Sequence, residues 1–362
     1  MAVYFYDLNN MQITRRFFSA VIVLILALTL SACGSDKKVT LSDPVQGQSI
    51  EDYIASQPFS GAVLVAKDGK ILLKRGFDLA DRAQNIQNHA DTTFLIASVS
   101  KQFTAMAMLI LQERGQLSLE DPLSQYLPDF PSADKITLKN LLNMNSGIIN
   151  YTSLKNFAEL QFKQLTPGQL IDQFSGYELE FEPGTQYQYS NSNYVLAGFI
   201  IEQVSGVAYA DFIEQEIFRP LGMSNSGYGY DAPNQQFAVG YGDGKPAPIL
   251  NMSVPYASGA LASTVEDLFI WHNALRQRWL ISDQSAEQMY TPALAGYALG
   301  WNISYNVNGD QFHQHGGGIE GFSTYILRSE SIDYVVVVLS NEEDFPSGHL
   351  ANKITSMVLS AK

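Results

Sequence analysis

Near both ends of the chain, apolar residues follow one another in the manner of β-strands. Gly61–Lys67 and Lys70–Lys74 flank Asp68-Gly69, a dipeptide that suits a tight hairpin turn, so this segment predicts two antiparallel strands. Asp333–Leu339 contains an almost unbroken apolar run, which is typical of a strand in the centre of a sheet. Weaker strand signals lie at Ala298–Tyr305, Phe312–His315 and Thr324–Leu327.

Between about residues 93 and 285 the apolar spacing is that of helices, with Pro and Gly as punctuation. Tyr194–Gln203 predicts an apolar helix that is closed by Gly206. Ile50–Ser56 and Ala351–Leu359 predict further helices near the two ends. We therefore expect an α+β fold in which the terminal segments, residues 59–77 and 297–340, share one sheet and the middle forms a helical subdomain.

The first residues of the chain have the pattern of a targeting segment. Arg15 and Arg16 precede the apolar run Phe17–Leu30, which is short and wrongly flanked for a membrane span. The run ends in Leu30-Ser-Ala-Cys33, which resembles the lipobox of bacterial lipoproteins, in which the cysteine becomes lipidated. We expect a lipoprotein signal peptide over residues 1–32 and a lipid anchor on Cys33.

Two further features bear on this anchor. Gly34 stands where an inner-membrane retention signal would have aspartate, so the resemblance implies the outer membrane, facing the periplasm. Residues 33–47 are small, polar and charged, which predicts a flexible tether ahead of the domain. The alternative for Cys33 is a buried free cysteine without a lipid.

Composition narrows the possible partners. With 36 acidic against 22 basic residues the net charge is −14, so the chain lacks the basic surface that binds nucleic acid or anionic lipid. A hydrophobic fraction of 46% indicates a globular protein, and the length of residues 48–362 suits one large domain or two closely packed subdomains. Cys33 is the only cysteine, which excludes an internal disulfide.

The first candidate for chemistry is Ser98, at the head of an apolar segment that ends before Gly115. If a helix begins near Ser98, Lys101 follows on the same face and its amine touches the hydroxyl. Serine becomes a strong nucleophile when a base takes its proton, and a buried neutral lysine can be that base. Ser-x-x-Lys also occurs at Ser35 and Ser132, neither of which opens an apolar helix, and a plain capping serine is the alternative at Ser98.

The second candidate is Tyr189-Ser-Asn191, the only Tyr-x-Asn among nineteen tyrosines. A tyrosine near a lysine can pass a proton, and an asparagine amide can orient both a substrate carbonyl and the lysine. The alternative is a surface loop without function.

The third candidate is the glycine-rich segment that follows His313 and His315. Glycines within a strand signal often allow a ligand to approach the backbone, so His315 to Gly318 predict an open substrate edge. The two histidines point the same way along a strand and raise the alternative of a metal site. No third soft ligand accompanies them in the sequence, so we expect no metal.

Taken in order, Ser98-Val-Ser-Lys101, Tyr189-Ser-Asn191 and His315-Gly-Gly317 resemble the motifs of the serine β-lactamase and penicillin-binding protein superfamily. The resemblance is to its branch of class C β-lactamases, DD-peptidases and esterases. It implies a β-lactamase/transpeptidase-like fold, with an antiparallel sheet built from both terminal segments and the active site in the cleft beside a helical subdomain. Supporting stretches lie at Ile136–Ile148, Phe181–Gly184, Ile217–Met223 and Gly259–Leu268.

The resemblance also implies roles for individual residues. Ser98 would be the acylated nucleophile, Lys101 its proton partner, and Tyr189 the acid and base that serves the leaving group. The backbone amides of Ser98 and Gly318 would form the oxyanion hole. The substrate-binding residues would be Asn191, His315, Gly317 and Gly318. No metal or organic cofactor is implied.

One departure bears on the substrate. Where β-lactamases of this superfamily have Lys-Thr-Gly, this chain has His315-Gly316-Gly317, which replaces a permanent cation by a titratable group and removes a hydroxyl. We expect a monomeric serine hydrolase that acts through an acyl-enzyme on small D-amino-acid peptides, peptidoglycan-derived substrates or esters at the cell envelope. A class C β-lactamase is the alternative, and a peptidoglycan-binding relative without turnover is the second alternative.

Overall fold

Strands lie near both ends of the chain and, in short pieces, between them. The structure, a computed structural model, describes residues 39–233 and 236–360. In chain order its strands are β1 (Gly61–Lys67), β2 (Lys70–Phe77), β3 (Leu79–Asp81), β4 (Ile86–Gln87), β5 (Phe94–Leu95), β6 (Gly227–Tyr228), β7 (Tyr241–Gly242), β8 (Lys245–Pro246), β9 (Leu261–Ser263), β10 (Asn302–Tyr305), β11 (Gln311–Ile319), β12 (Phe322–Ser329) and β13 (Tyr334–Ser340).

One antiparallel sheet joins the two ends of the chain. Its strands lie in the order β10-β11-β12-β13-β1-β2. β1 and β2 are connected through Asp68 and Gly69, whose φ angles of 51° and 71° are the positive values that a tight hairpin turn requires. β13 is buried throughout and lies between β12 and β1, with Gly61 opposite Ser340. The hairpin, the central strand and the α+β fold predicted from the sequence are confirmed.

Helices lie before β1, between the strands and in the last part of the chain. α2 (Lys101–Glu113) is buried from Lys101 to Leu111, and α6 (Asn191–Ser205) is capped by Gly206, whose φ of 75° suits glycine. In chain order the helices are α1 (Ile50–Ala55), α2 (Lys101–Glu113), α3 (Leu138–Leu142), α4 (Phe157–Leu160), α5 (Pro167–Ile171), α6 (Asn191–Ser205), α7 (Tyr209–Ile213), α8 (Arg219–Leu221), α9 (Tyr256–Gly259), α10 (Val265–Arg276), α11 (Asp283–Tyr290) and α12 (Ser347–Ser360).

The two faces of the six-stranded sheet form separate hydrophobic cores. Val335 and Val337 of β13 belong to one core and Val336 and Val338 to the other, because successive side chains of a strand point to opposite faces. Helices α1 and α12 pack on the second face, whereas α2, α6 and α10 contribute to the core on the first face. Burying one such valine stabilises the fold by about 1.5 to 3 kcal/mol relative to leaving it exposed.

The middle of the chain is less purely helical than the sequence predicts. β5, β9 and β6 form a small sheet inside the expected helical subdomain. Strands of two or three residues are too short to show a periodic pattern, which is why the prediction was wrong there. β10 also begins at Asn302 rather than at Ala298, because the preceding residues form a turn.

The predicted tether over residues 33–47 is also wrong in part. Val39 and Leu41 pack against the second core, on the face of the sheet that α1 and α12 cover. The backbone N–H of Ser42 donates to Gln57 Oε1 at 3.0 Å, and the Tyr53 hydroxyl donates to the Ser42 carbonyl at 3.0 Å. These residues belong to the domain, because two apolar side chains outweigh the polar composition around them.

The helices of this fold are short relative to the thickness of a membrane. Among the described residues no single helix is long and apolar enough to span one. α6 and the segment Tyr209–Leu221 reach that length and composition only as a pair, bent by 78°.

Candidate active site

Ser98 lies in a short 3₁₀ turn, Ala97–Ser100, that leads directly into α2. Neighbouring strands hold this turn from both sides. The Ile96 N–H donates to the Leu261 carbonyl at 2.9 Å, and the Ile96 carbonyl accepts from Thr324 Oγ1 at 2.9 Å. Ala97 has a φ of 47°, which is unusual for a residue other than glycine and marks backbone strain immediately before Ser98. The Ser98 side chain is thereby fixed at the junction of the helical region and the sheet.

Lys101 is fully buried, and its Nζ lies 3.0 Å from Ser98 Oγ. The same nitrogen donates to Asn191 Oδ1 at 2.8 Å and to the Ser258 carbonyl at 2.7 Å. Burial lowers the pKa of Lys101 well below its usual range, so the neutral amine is favoured. In the neutral amine both N–H groups would point to these two oxygens, neither of which can donate, and the lone pair would be left to accept the Ser98 proton.

The Tyr189 hydroxyl also contacts Ser98, and Lys101 Nζ lies 4.9 Å from the centre of the Tyr189 ring. The hydroxyl donates to Ser98 Oγ at 2.8 Å. Burial raises the pKa of Tyr189, so the phenol stays protonated at neutral pH. One connected set of hydrogen bonds therefore runs from Tyr189 through Ser98 to Lys101.

A cavity of about 310 Å³ opens beside Ser98. Asn191 lies in its wall, where its Nδ2 faces Thr152 Oγ1 at 3.5 Å while its Oδ1 holds Lys101. The described residues that line the cavity are Ala97, Ser98, Tyr151, Thr152, Phe157, Gln161, Asn191, Leu250, Val254, Pro255, Ser258, Gly259, Gly318, Ile319 and Glu320.

The far end of β11 forms an open edge of this cavity. β10 pairs with β11 only as far as Gln314, so no described strand covers that edge from Gly316 onwards. Ile319 pairs with Phe322 across a two-residue turn, and backbone groups alternate along an antiparallel strand. The N–H of Gly318 therefore points away from β12, towards the cavity that it shares with Ser98. Ser98 and Gly318, whose N–H groups the sequence resemblance predicts as the oxyanion donors, both line this cavity.

Gly317 is glycine for a steric reason. A Cβ at this position would lie 2.4 Å from both the Ile96 carbonyl oxygen and Thr324 Oγ1. Gly316 is less constrained, since a Cβ there would lie 3.2 Å from the Tyr325 ring. The close approach at Gly317 brings β11 directly against the turn that carries Ser98.

His315 does not supply the titratable cation that the sequence suggested. It is buried and lies outside the described lining of the cavity. Burial, and to a smaller extent the nearby Lys101, lowers the pKa of His315 to about 3, so the ring is neutral at neutral pH. Its Nδ1 lies 2.7 Å from the Gly316 carbonyl and its Nε2 lies 3.0 Å from the Tyr297 hydroxyl. A carbonyl can only accept, so Nδ1 has the hydrogen and Nε2 accepts from Tyr297.

The structure thus brings most of the predicted site residues together. Ser98, Asn191 and Gly318 line the cavity, and Lys101 and Tyr189 contact Ser98 from beneath and beside it. His315 and Gly317 lie behind the cavity edge, and Cys33 lies outside the described residues. Among residues 39–233 and 236–360, no group of three or more His, Cys, Asp or Glu side chains could hold a metal.

Sequence reasoning missed three participants in this geometry. The Ser258 carbonyl accepts from Lys101, Ala97 has the strained backbone, and Tyr297 fixes the His315 ring. A backbone carbonyl and a backbone angle leave no side-chain signal in a sequence. The stretch Gly259–Leu268, which adjoins Ser258, was noted only as a supporting resemblance.

The arrangement contains what nucleophilic acyl transfer requires. Ser98 Oγ lies within hydrogen-bonding distance of a buried amine and of a protonated phenol, and two backbone N–H groups lie by the same cavity. A carbonyl compound in the cavity would meet a nucleophile, a base, an acid and an oxyanion site together.

Comparisons with known proteins agree with this geometry. The chain is 32% identical over 319 residues to PbpX of Bacillus subtilis (strain 168), which is described as a penicillin-binding protein; the match covers 86% of this chain and 78% of that protein. A solved structure of an octameric penicillin-binding protein homologue from Pyrococcus abyssi superposes with a TM-score of 0.73 at 28% identity, over 83% of this chain and 73% of that one. Because that homologue is octameric, the monomeric state expected here stays a prediction.

A second solved structure comes from an enzyme with a stated stereochemical preference. The D-stereospecific amidohydrolase from a Streptomyces species superposes with a TM-score of 0.70 at 26% identity, over 87% of this chain and 98% of that one. The family model described as Beta-lactamase matches residues 26–355. The chain therefore belongs to the Beta-lactamase family, whose members are serine hydrolases.

Proposed function

We propose that this protein is a serine hydrolase that acts through an acyl-enzyme on D-amino-acid peptides or amides, or on esters. The observation that carries the proposal is the position of Ser98 Oγ, 3.0 Å from a buried Lys101 and 2.8 Å from Tyr189 at the edge of a cavity. The likeness to a D-stereospecific amidohydrolase and to penicillin-binding proteins supports the choice of D-configured amides.

In the proposed reaction, Ser98 Oγ attacks the substrate carbonyl carbon and its proton passes to Lys101 Nζ. The N–H groups of Ser98 and Gly318 hold the oxyanion, each with an effect of about 3 kcal/mol on the barrier. As the bond to the leaving group breaks, the proton reaches the leaving group by way of the Tyr189 hydroxyl. Water then attacks the acyl-enzyme by the same route and frees Ser98 and the acid product.

A β-lactamase proper is the alternative, and the family match supports it in general terms. The neutral His315 argues against it, because a penicillin has a carboxylate and the described lining of the cavity contains no cation. A protein that binds peptidoglycan without turnover is less favoured than a β-lactamase. The contacts of Ser98 with Lys101 and Tyr189, which the proposed reaction needs, are all present.

Mass spectrometry after incubation with a fluorophosphonate, a fluorescent penicillin or a p-nitrophenyl ester tests the proposal. Covalent labelling should occur on wild type and vanish in Ser98→Ala. Ser132→Ala is the matched control, because Ser132 belongs to the same Ser-x-x-Lys pattern but lies exposed in a loop. Labelling that persists in Ser98→Ala would refute the assignment. Rapid loss of the penicillin adduct would favour the β-lactamase.

We also propose that Cys33 anchors the protein to the cell envelope, facing the periplasm from the outer membrane. The support is the sequence Leu30-Ser-Ala-Cys33 alone. Cys33→Ser should move the protein out of the membrane fraction without changing its specific activity, as should a chain that starts at Ser35 behind a cleavable signal. If that second chain stays in the membrane fraction, a lipid on Cys33 is not what holds the protein there.

A further inference from the structure

The cavity beside Ser98 has one charged residue among the described residues that line it, Glu320. The rest of the lining is apolar or neutral, with Tyr151, Phe157 and Val254 among its larger members. Lys101 does not compensate this charge at the cavity surface, because it is fully buried and is not among the lining residues, and burial lowers its pKa. A substrate that enters the cavity therefore meets a neutral wall with a single carboxylate at one end.

The turn that carries Glu320 is fixed in place. Glu320 and Gly321 connect β11 to β12, and Gly321 has a φ of 81°. The Gly321 N–H donates to Glu343 Oε2 at 2.8 Å, and a Cβ on Gly321 would lie 2.6 Å from the Cα of Gly240. Because Gly321 is held by this hydrogen bond and by its close contact with Gly240, the turn keeps Glu320 in a fixed position at the cavity.

The Glu320 carboxylate itself is left without a partner. It is half-buried and makes no hydrogen bond or ion pair with any residue that the structure describes. Tyr151 lies in the cavity wall, and burial raises the pKa of its hydroxyl. The negative charge of Glu320 raises this pKa further. A half-buried carboxylate without a counter-ion on a fixed turn is a ready partner for a cation, since a charged hydrogen bond there is stronger than one in open water.

The cavity suits the acyl part of a substrate. Tyr189, which passes the proton to the leaving group in the proposed reaction, is outside the described cavity lining, as are His315 and Tyr297. The leaving group therefore lies on the Tyr189 side of Ser98. Glu320 follows Gly318 by two residues, in the turn just beyond the end of β11, and lines the same cavity as Ser98.

We infer that Glu320 is a specificity residue that selects substrates whose acyl part carries an ammonium group, such as D-aminoacyl amides and esters with a free amine. The inference rests on the proposed function and names its substrate class. It also excludes acyl groups that end in a carboxylate, because Glu320 would repel them. The overall charge of −14 acts in the same direction.

The test compares kcat/KM for three p-nitrophenyl esters with one acyl skeleton: D-alanine, N-acetyl-D-alanine and N-succinyl-D-alanine, which are cationic, neutral and anionic. Wild type should prefer the cationic ester over the anionic one by about 10-fold or more. Glu320→Gln should lower kcat/KM for the cationic ester by about 10-fold and leave the neutral ester within about two-fold. Glu320→Lys should reverse the order of the charged esters.

Glu178→Gln is the matched control, because it removes the same charge from an exposed side chain outside the described cavity lining. It should leave the cationic preference unchanged. A wild type without the preference, or a Glu320→Gln variant that keeps it, overturns the inference. Ser98→Ala gives the background rate for every ester. If it matches wild type, the proposed function fails; if only the charge preference is missing, the inference alone fails.

Discussion

At the scale of single residues, the environment of Ser98 separates acid from base. Lys101 is buried among oxygen acceptors, which leaves its lone pair for a proton, while Tyr189 is buried as a phenol and keeps its own. Two groups with similar ordinary pKa values are driven apart, because burial disfavours an ammonium ion and a phenolate alike. In the proposed reaction, the same physical cause suits Lys101 to act as the base and Tyr189 to act as the acid.

This division predicts that Tyr189→Phe lowers kcat/KM for an amide substrate by about 100-fold, the usual effect of losing an acid and base group. The hydroxyl that donates to Ser98 Oγ is lost, while the ring and its packing remain. The measurement is steady-state hydrolysis of a D-aminoacyl amide. Tyr187→Phe is the control, because Tyr187 packs against Tyr297 in the same aromatic cluster and makes no described hydrogen bond to Ser98. Equal rates for both variants would remove Tyr189 from the mechanism.

Only some of the contacts at this site could be predicted from the sequence. The contact between Ser98 and Lys101 follows from a spacing of three at the start of a helix. Tyr189 lies 91 residues away from Ser98, so its role came from a resemblance of motifs rather than from spacing. The depressed pKa of His315 and the free carboxylate of Glu320 depend on which strands surround them. Neither could be read before the topology was known.

At the scale of elements, the glycines of β11 differ in how much space surrounds them. Gly317 allows the strand to touch the turn before Ser98, whereas a Cβ at Gly318 would meet nothing within 4 Å. The sequence predicted an open edge from the glycines as a group but did not distinguish among them. The steric partners of Gly317, Ile96 and Thr324, come from distant parts of the chain, which is why the distinction was hidden.

We predict that Gly317→Ala destabilises the fold by about 1 to 3 kcal/mol, the usual cost of overpacking, and reduces acylation of Ser98. The new methyl group would push β11 away from the turn and move the Gly318 N–H from its place. Thermal unfolding and labelling by a fluorophosphonate measure the two effects. Gly318→Ala should unfold at the temperature of wild type, and Gly316→Ala should cost less than Gly317→Ala, since only a ring edge must yield. Equal stability for all three would contradict the steric argument.

At the scale of the whole molecule, buried histidines make stability depend on pH. Burial lowers the pKa values of His272 to about 2 and of His313 and His315 to about 3, from an ordinary value of 6.5. The unfolded chain therefore binds more protons than the folded one between pH 6.5 and about 3. Stability is complete above pH 6.5 and falls as the pH is lowered through that window.

We predict that acidification to pH 5.5 costs about 1.4 kcal/mol of unfolding free energy for each of these histidines. Denaturant unfolding at pH 7.5 and pH 5.5 measures the loss. His313→Gln should reduce the dependence on pH by about one proton, although it also removes the stacking on Tyr290 and the contact with Arg328. His89→Gln, at an exposed position, should leave the dependence unchanged. A stability that does not vary between these two pH values would show that the three rings are not held neutral.

The late position of β11 and β12 in the chain determines when the site is completed during synthesis. A growing chain contains Ser98, Lys101 and Tyr189 long before it contains β11 and β12, whose residues clamp the turn at Ile96 across a separation of 228 positions and provide the Gly318 N–H. Until those strands are made, the proposed nucleophile Ser98 lacks the contact from Thr324 to Ile96 and the proposed oxyanion donor of Gly318. We therefore expect a nascent chain to gain hydrolytic activity only when β11 and β12 are in place.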